Sequence, residues 1–506
     1  MSGAHICNLL QRRCLVTMFH YRRLALLLFA LALVLFQPPE GFCSGFHEMG
    51  VKLGKELGVM WILPFVCMLL SIAVCPLAMP HFWHNHFGKV AVFWGLTFLV
   101  PFSMLYGVSL AWYQLLHTML LEYIPFLILL FSLFTVAGGI RLTGSLTGTP
   151  VVNTGILLAG TLLASWMGTT GAAMLMIRPL LRANAHRKYQ VHSVIFFIFL
   201  VANIGGALTP LGDPPLFLGF LQGVHFFWTL SHLFSPMMTM VAILLVLYFL
   251  LDSLLYGKEG RPVSADATGG EKLGFDGKIN FILLAGIVLS VLMSGMWHPG
   301  KTYHIYEVEL DLQNLVRDIL LLTIAGLSLK LTSDKCRELN EFSWGPIEEV
   351  AKLFFGIFIS MTPALAILKA GGEGSLSSVI NLVSSNGVPN NAMFFWLAGA
   401  LSSFLDNAPT YLVFFNTAGG IPVPPLEAKA IAGHLMTDMA PTLTAISAGA
   451  VFMGANSYIG NAPNFMVRSI AEERGVKMPS FFGYMVWSCG ILIPSFVFLT
   501  FVFFRA

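Results

Sequence analysis

The sequence contains little charge. Of its 506 residues only 10% are Asp, Glu, Lys or Arg, whereas 56% are hydrophobic. Soluble proteins carry about 25% charged residues, so most of the surface of this chain is expected to face lipid. The formal net charge of +3 is also too small to indicate a nucleic-acid partner.

Paired cysteines and catalytic motifs are absent as well. The seven cysteines are scattered, and none of them has C-x-x-C spacing. The sequence therefore predicts neither a zinc site nor a disulfide framework. It also lacks H-E-x-x-H, a nucleophile elbow, haem-type histidine pairs on one helix and a nucleotide-binding loop. A membrane-bound enzyme or a redox-complex subunit is thus disfavoured, and no cofactor is expected.

The N-terminal segment begins with basic residues and continues with a short apolar run at 24–36. Such a run is shorter than a typical spanning helix and resembles the apolar region of a signal peptide. Residues 1–45 are therefore interpreted either as a cleaved signal peptide or as a first transmembrane helix.

Long apolar stretches fill most of the remaining sequence. Each has close to the ~20 residues that a helix needs to cross a ~30 Å hydrocarbon core. They lie at about 58–79, 90–110, 123–140, 191–220, 233–256, 279–297, 315–331, 350–368, 440–466 and 481–504. The predicted fold class is an all-α polytopic membrane protein.

Two further apolar segments are interrupted in the middle by glycine, proline and polar residues. They lie at about 151–182 and 391–416. Irregular backbone at membrane depth is tolerated only where it is buried in protein or faces water. Both segments are therefore predicted to be re-entrant hairpins that enter and leave on the same side.

The distribution of Lys and Arg predicts the orientation. Segments predicted to lie inside are rich in these residues, whereas the outer segments 112–122 and 221–232 have none. This asymmetry fits the positive-inside rule with the N-terminus in the cytoplasm. The predicted location is the cell inner membrane. The inner positive residues are Arg178, Arg182, Arg187, Lys188, Lys258, Arg261, Lys272, Lys278, Lys335, Arg337, Arg468, Arg474 and Lys477.

Three blocks of the first half recur in the same order in the second half. Residues 126–146 match 354–376, 165–175 match 403–413, and 206–217 match 454–465. For the second block, a register shifted by one residue fits nearly as well. An even number of predicted crossings separates 123–140 from its counterpart near Val350, so the counterpart runs in the opposite direction and the repeats are inverted. Each repeat is predicted to hold one re-entrant hairpin and one broken transmembrane helix.

This pattern predicts the domain organisation. The predicted segments are 1–45 (signal peptide or first helix), 58–122 (N-terminal scaffold helices), 123–256 (first repeat), 257–278 (cytoplasmic linker), 279–349 (middle helices) and 350–504 (second, inverted repeat).

Interrupted helices in inverted repeats indicate a substrate site near the bilayer midplane. In the first break Pro210, Pro214 and Pro215 lack N–H groups and free backbone carbonyls. Together with side-chain oxygens these carbonyls suit a hard cation, although an ordinary proline kink is the alternative. The polar candidates are Asn203, Thr209, Pro210 and Asp213 in the first break, and Asn456, Ser457, Asn461 and Asn464 in the second.

Two carboxylates fall inside these interruptions: Asp213 in the first break and Asp406 in the second hairpin. Intramembrane carboxylates are costly and therefore tend to be functional. Sodium and a proton compete for such oxygens, so both residues are predicted to bind sodium and to carry the proton. If each hairpin docks against the break of its own half, each pseudo-symmetric site contains one carboxylate. The alternative for both is capping of a half-helix; Asp438, four residues after His434, is a third proton-carrier candidate.

Several motifs now support a family resemblance. N-I-G-G-A-L-T-P-L-G-D-P-P at 203–215, S-S-F-L-D-N-A-P-T at 402–410 and G-A-N-S-Y-I-G-N-A-P-N-F at 454–465 resemble the ion-transporter superfamily. That superfamily includes NhaD-type sodium/proton antiporters, arsenite permeases and citrate or dicarboxylate carriers. The resemblance covers roughly 58–504, and the run 63–102 with G-D-P-P looks most like the sodium/proton antiporter or citrate transporter branch.

The resemblance implies a homodimer in which a mobile transport region moves against a scaffold in an elevator-like manner. One element departs from the family pattern, which often has S-N-T or D-N-x-T at the tip of the first hairpin. This chain has Gly168-Thr169-Thr170-Gly171 instead. The first site is therefore expected to rely on Thr169, Thr170 and Asp213.

Sodium/proton antiport is the predicted function, with Na+ and H+ as the transported species. Sodium- or proton-coupled uptake of citrate or another small carboxylate remains the alternative, because several donors could bind such an anion. Neither break contains Arg or Lys, however, and two nearby acids would repel a trivalent anion. Arsenite or oxyanion transport comes third. The candidate donors are Thr169, Thr170, Asn407, Thr410, Asn456 and Ser457.

Overall fold

The computed structural model describes residues 53–144, 146–262, 273–385, 387–421 and 428–505. The predicted signal peptide or first helix at 1–45 lies outside the described residues, and so does the central part of the predicted linker 257–278. The described chain is built of helices, together with three small antiparallel two-stranded sheets.

The described part of the first half contains nine α-helices. They are α1 (Leu63–Ala78), α2 (Pro80–Tyr106), α3 (Val108–Thr118), α4 (Ile124–Ala137), α5 (Pro150–Met167), α6 (Thr169–Ala183), α7 (Val191–Leu200), α8 (Pro214–Leu221) and α9 (Trp228–Lys258). A 3-10 turn at Val59–Ile62 precedes α1, and β1 (Arg141–Thr143) follows α4.

The second half begins with β2 (Gly274–Asp276), which pairs with β1. Its helices are α10 (Ile279–Met296), α11 (Leu312–Leu331), α12 (Asp334–Leu339), α13 (Gly345–Lys369), α14 (Ser377–Val383), α15 (Asn391–Phe404), α16 (Asn407–Gly419), α17 (Ala428–Thr437), α18 (Ala440–Met453), α19 (Ala462–Glu473) and α20 (Phe481–Phe503). Two short hairpins complete it: β3 (Thr302–Ile305) with β4 (Val308–Asp311), and β5 (Ser384–Ser385) with β6 (Val388–Pro389).

Nine helices of the described ranges are long and apolar enough to cross a bilayer. A tenth crossing is formed if the bent pair Ala430–Thr437 and Ala440–Asn456, which meet at 98°, counts as one span. Many large apolar side chains point outward, among them Phe93, Leu254 and Phe501. Such surfaces are stable only against lipid, so the protein is a multi-pass, all-α membrane protein, as the composition predicts.

One predicted boundary is wrong. Residues 112–122 were expected to form an outer loop, but α3 continues through a π-helical turn at Met119–Tyr123 into α4. Pro125 lies in the first turn of α4 and has no N–H to donate to the preceding helix. A π-turn accommodates this missing donor without ending the helix, whereas the sequence pattern suggested a break.

Both interrupted segments fold as helical hairpins. Gly168 (φ +81°) separates α5 from α6, and this left-handed conformation favours glycine. The open end of the hairpin is closed by the Gly148 N–H, which donates to the Ala183 carbonyl at 2.9 Å. In the second hairpin α15 and α16 pack together, and the rings of Phe394 and Phe414 lie 6.2 Å apart.

Both predicted helix breaks are present. The first lies between α7 and α8, the second between α18 and α19, and each contains a short 3-10 turn. A Cβ on Gly212 would lie 2.2 Å from the Gly206 carbonyl oxygen, and one on Gly460 would lie 2.6 Å from the Gly454 oxygen. The two breaks therefore have the same local conformation, in which two backbone segments approach so closely that only glycine fits.

Candidate functional site

The first hairpin docks onto the first break through backbone and hydroxyl contacts. The Thr209 hydroxyl donates to the Ser165 carbonyl, and the Ser165 hydroxyl donates to the Gly205 carbonyl at 2.5 Å. At the hairpin tip the Thr169 N–H donates to the Gly212 carbonyl at 2.8 Å. The tip of the hairpin is thereby held against the unwound backbone.

The second hairpin docks onto the second break in the same way. The Ser457 hydroxyl donates to the Ser403 carbonyl at 2.5 Å, just as Thr209 does to Ser165. The Ser403 hydroxyl donates to the Met453 carbonyl at 3.1 Å. This equivalence supports the register that aligns Ser165 with Ser403, rather than the one shifted by one residue.

Asp213 lies where both hairpins and both breaks meet. Its side chain is only 2% exposed. Oδ1 accepts from the Thr169 hydroxyl at 2.9 Å and from Asn461 Nδ2 at 3.2 Å, and Oδ2 accepts from Asn407 Nδ2. Within the described segments Asp213 makes no side-chain capping bond to α8, so the capping alternative does not account for it.

Three of the predicted residues thus converge on one carboxylate from three different elements. Each hairpin docks on the break of its own half, as the expectation of two pseudo-symmetric sites requires, but the hydrogen bonds of Asp213 also extend across the two halves. Asp213 of the first half is bonded by Asn407 and Asn461 of the second half. The alignment could not reveal this, because it pairs equivalent positions and gives no contacts between the halves.

Asp406 is placed differently. It is half-buried, and its Oδ1 accepts from the Ala408 N–H at 3.0 Å, which caps the first turn of α16. The Thr410 hydroxyl donates to the Asp406 backbone carbonyl at 3.0 Å. Asp406 directly precedes Asn407, which donates to Asp213. It therefore caps a half-helix, as the alternative interpretation held, and lies beside the Asp213 cluster.

A chain of asparagines connects the two breaks. Asn203 Nδ2 donates to Asn464 Oδ1 at 2.7 Å, and Asn461 Nδ2 lies 3.3 Å from Asn203 Oδ1. Asn464 Nδ2 in turn donates to the carbonyls of Gly454 and Ser457, at 2.8 and 2.9 Å. Asn203 and Asp213 of the first break therefore form one buried network with Asn461 and Asn464 of the second.

Two buried amide oxygens of this region have no hydrogen-bond partner among the described residues: Asn407 Oδ1 and Asn456 Oδ1. An unsatisfied buried acceptor is uncommon and calls for an explanation such as a bound ion. Asn407 Oδ1 belongs to the amide that donates to Asp213, so it lies close to that carboxylate. Carbonyl and carboxylate oxygens are the ligands that hard cations prefer.

The remaining predicted residues lie at the edge of the cluster or away from it. Pro210 is buried in the first break, and Thr170 is half-buried at the hairpin tip. Asp438 is not brought to the cluster, since its side chain is 68% exposed and lies 2.7 Å from His434 Nδ1.

A second buried polar group escaped the sequence analysis. Asp252 of α9 is fully buried and accepts from Arg187 Nη2 at 2.7 Å and from Asn153 Nδ2 at 3.0 Å. His192 Nε2 lies 2.8 Å from the same carboxylate. The sequence signal for it is an isolated acidic residue within an apolar spanning helix. Burying its charge in the membrane costs free energy unless the charge is paired.

Comparison with protein-family models gives one match. Residues 54–504 match the model CitMHS_2, whose description is "Putative citrate transport". No curated protein matches the chain significantly.

Proposed function

The chain belongs to the CitMHS_2 family, and from this membership together with the Asp213 cluster we propose that it is a sodium/proton antiporter of the cell inner membrane. The family and the membrane-spanning helices make it a secondary transporter. The exchange of Na+ for H+ is the specific step that we propose.

The buried carboxylate of Asp213 is the observation that carries this proposal. All three of its side-chain donors are neutral groups: Thr169, Asn407 and Asn461. In the described part of the chain no Lys or Arg hydrogen-bonds to it. An uncompensated charge in such a place is costly, so binding of either a proton or a metal cation neutralises it.

The unpartnered oxygen of Asn407 favours a metal cation as one of the two occupants. A sodium ion at Asp213 would gain this amide oxygen as a further ligand, whereas a proton on Asp213 would not need it. Since one carboxylate can hold only one of the two species, loading sodium expels the proton. This competition is the minimum that antiport requires.

Cation-coupled uptake of citrate is a second candidate, because the description of the family names citrate transport. The amides and hydroxyls around Asp213 could donate to substrate carboxylates, as Asn407 and Thr169 do to Asp213 itself. In this case the Asp213 cluster would bind the coupling cation, and the anion would lie beside it.

Sodium-driven proton movement in proteoliposomes tests the proposal. A pH dye reports proton release on addition of sodium for the wild type, Asp213→Asn and Asp406→Asn. We expect the response to be lost in Asp213→Asn and to be weakened in Asp406→Asn, which only caps α16. Asp438→Asn is the matched control, because its carboxylate is exposed and away from the cluster; it should retain the response.

The same vesicles distinguish the two candidates. Uptake of radiolabelled citrate that depends on a sodium or proton gradient, without any sodium-driven proton movement when citrate is absent, would overturn antiport in favour of the carboxylate carrier. A sodium response that survives in Asp213→Asn would remove Asp213 from its proposed role.

A further inference from the structure

The connection between α12 and α13 is fixed to the end of α4. Asn340 Nδ2 donates to the carbonyls of Gly138 and Ile140, at 3.0 and 3.1 Å. Arg337 Nη1 donates to the Thr135 carbonyl at 2.9 Å, and the Phe342 ring packs 5.2 Å from Phe134. Glu341 therefore projects from a firmly anchored segment.

The backbone of Glu341 has φ +51°, a left-handed conformation that L-residues rarely adopt. Glycine would occupy this position without a steric penalty. Such outliers persist where the surrounding structure holds them and often coincide with functional positions. A charged side chain at a position that favours glycine indicates that the carboxylate itself has a role.

The Glu341 carboxylate binds two arginines from opposite halves of the chain. Oε2 accepts from Arg178 Nε of α6 at 3.1 Å, and Oε1 accepts from Arg474 Nη2 at 2.5 Å. Arg474 is the C-cap residue that follows α19. One carboxylate thus ties an element of the first hairpin and an element of the second broken helix to the end of α4.

Both of these helices begin at the Asp213 cluster. Thr169, which donates to Asp213, is the first residue of α6, and Asn461, which also donates to Asp213, is the N-cap of α19. At 1.5 Å per residue, α6 places Arg178 roughly 13 Å from Thr169. The helices therefore connect the cluster at one end with Glu341 at the other.

The ion pairs of Glu341 are exposed enough to be reversible. The side chains of Glu341 and Arg474 are 45% and 46% exposed, and pairs in such surroundings are individually weak. The Arg178 side chain is 11% exposed, but its pair shares the same half-exposed carboxylate. The Arg187–Asp252 pair, by contrast, has both side chains fully buried. The two kinds of pair suit different tasks, since a buried pair fixes elements permanently and an exposed one can open.

We propose that Glu341 is a cytoplasmic latch, whose bonds to Arg178 and Arg474 hold α6 and α19 against the end of α4 in the present conformation. The inference rests on the proposed antiport and on the elevator-like movement that the family resemblance implies. Movement of the Asp213 cluster relative to α4 requires both bonds to break. Loss of the latch shifts the equilibrium between the two conformations while the cluster itself remains intact.

Distances between spin labels on the full-length protein test the latch without reference to the cargo. Labels are attached at Lys477→Cys, beyond α19, and at Glu338→Cys, on the anchored segment, after the native cysteines have been replaced. Both positions are exposed. We expect E341Q to increase the population with longer distances several-fold, and R474Q to do the same.

E472Q is the matched control. Glu472 pairs with Arg468 within α19 and ties that helix to nothing else among the described contacts. Its distance distribution should equal that of the parent. E341G removes the carboxylate but suits the backbone, so it should behave as E341Q does if the charge matters and as the parent does if it does not.

The latch is refuted if E341Q and R474Q leave the distance distribution unchanged in folded protein, as judged by an unaltered melting temperature. Failure of the proposed function is a separate result. It appears as a missing sodium response of the wild type in proteoliposomes, while the label distances still report whether Glu341 controls the conformation.

Discussion

Asp213 and Asp406 illustrate how surroundings decide the role of a residue. Both are carboxylates at interruptions of membrane helices, and the sequence treats them alike. Asp213 is enclosed by three neutral side-chain donors, whereas Asp406 uses one oxygen to cap the helix that follows it. The charge of Asp213 is therefore left to be neutralised by a transported cation. Part of the charge of Asp406 is compensated by the N–H group that it caps.

Replacement of Asn407 by alanine tests the cation site at the level of one side chain. Asn407→Ala removes a donor to Asp213 and an unpartnered buried oxygen. We expect the sodium concentration for half-maximal proton release to rise at least about tenfold, since a lost hydrogen bond to a charged group costs about 1.5–3 kcal/mol. The measurement is the sodium titration in proteoliposomes.

Asn416→Ala is the control for that substitution. Asn416 lies on the same helix, is buried and also has an unpartnered Oδ1 within the described chain, but its amide donates to the Leu412 carbonyl and not to Asp213. A similar loss of sodium affinity in both variants would contradict a specific role for Asn407.

The pH dependence of Glu341 is a second residue-level prediction. Although burial raises its pKa, the hydrogen bonds and charges of Arg178 and Arg474 outweigh this, so the pKa of Glu341 is lowered. A depressed pKa means that the ion pairs are fully present above the ordinary glutamate pKa of ~4.3 and are lost as the pH falls through the lower value of the folded protein. Above about pH 5, E341Q should therefore change the transport rate by a constant factor, leaving the shape of the pH–rate profile unchanged.

At the scale of elements, the position of the first hairpin depends on a buried ionic network. Asn153 of α5, Arg187 beyond α6 and His192 of α7 all contact Asp252 of α9. The network ties the hairpin to α9, the spanning helix that comes after α8. Burial of both charges makes the pair costly to break by removing one partner.

Asp252→Asn is expected to destabilise the folded protein by about 3 kcal/mol, because the buried Arg187 guanidinium loses the carboxylate at Nη2 and keeps only its pair with Glu259. The melting temperature of the purified protein measures the effect. Asp276→Asn is the control. Asp276 pairs with Arg141, and the two side chains are 48% and 23% exposed, so the loss of this pair should cost at most about 1 kcal/mol. Equal shifts in the two variants would argue against a special role for burial.

At the scale of the whole molecule, the charge asymmetry of the sequence predicts the orientation in the membrane. The β3–β4 hairpin is predicted to lie outside, and the segment after α19 inside. His304 and Lys477 are both exposed and described, so they are suitable reporters.

The homodimer implied by the family resemblance stays a prediction, which measurement of the molecular mass in detergent would test.

Thiol labelling in intact cells tests this orientation. In a protein without its native cysteines, His304→Cys should react with a membrane-impermeant maleimide, and Lys477→Cys should react only after the cells are opened. Labelling of both or of neither in intact cells would contradict the predicted topology.

The sequence by itself determined the membrane class, most of the spans, the two hairpins and the two breaks. These features depend on local composition: apolar runs of spanning length, and dense clusters of glycine and proline that interrupt a helix. The same locality explains the error at 112–122: this segment lies between two apolar runs and was predicted to lie outside, although the helix continues through it by way of a π-turn.

Only the tertiary structure decided which side chains meet. The decisive contacts join residues that are far apart in the chain. Asn407 and Asn461 donate to Asp213, Arg187 pairs with Asp252, and Glu341 binds two arginines. Local propensity contains no information on such distances, and an alignment of repeats relates equivalent positions without saying which of them touch. The packing of hairpins on breaks, which buries these groups together, supplies that information.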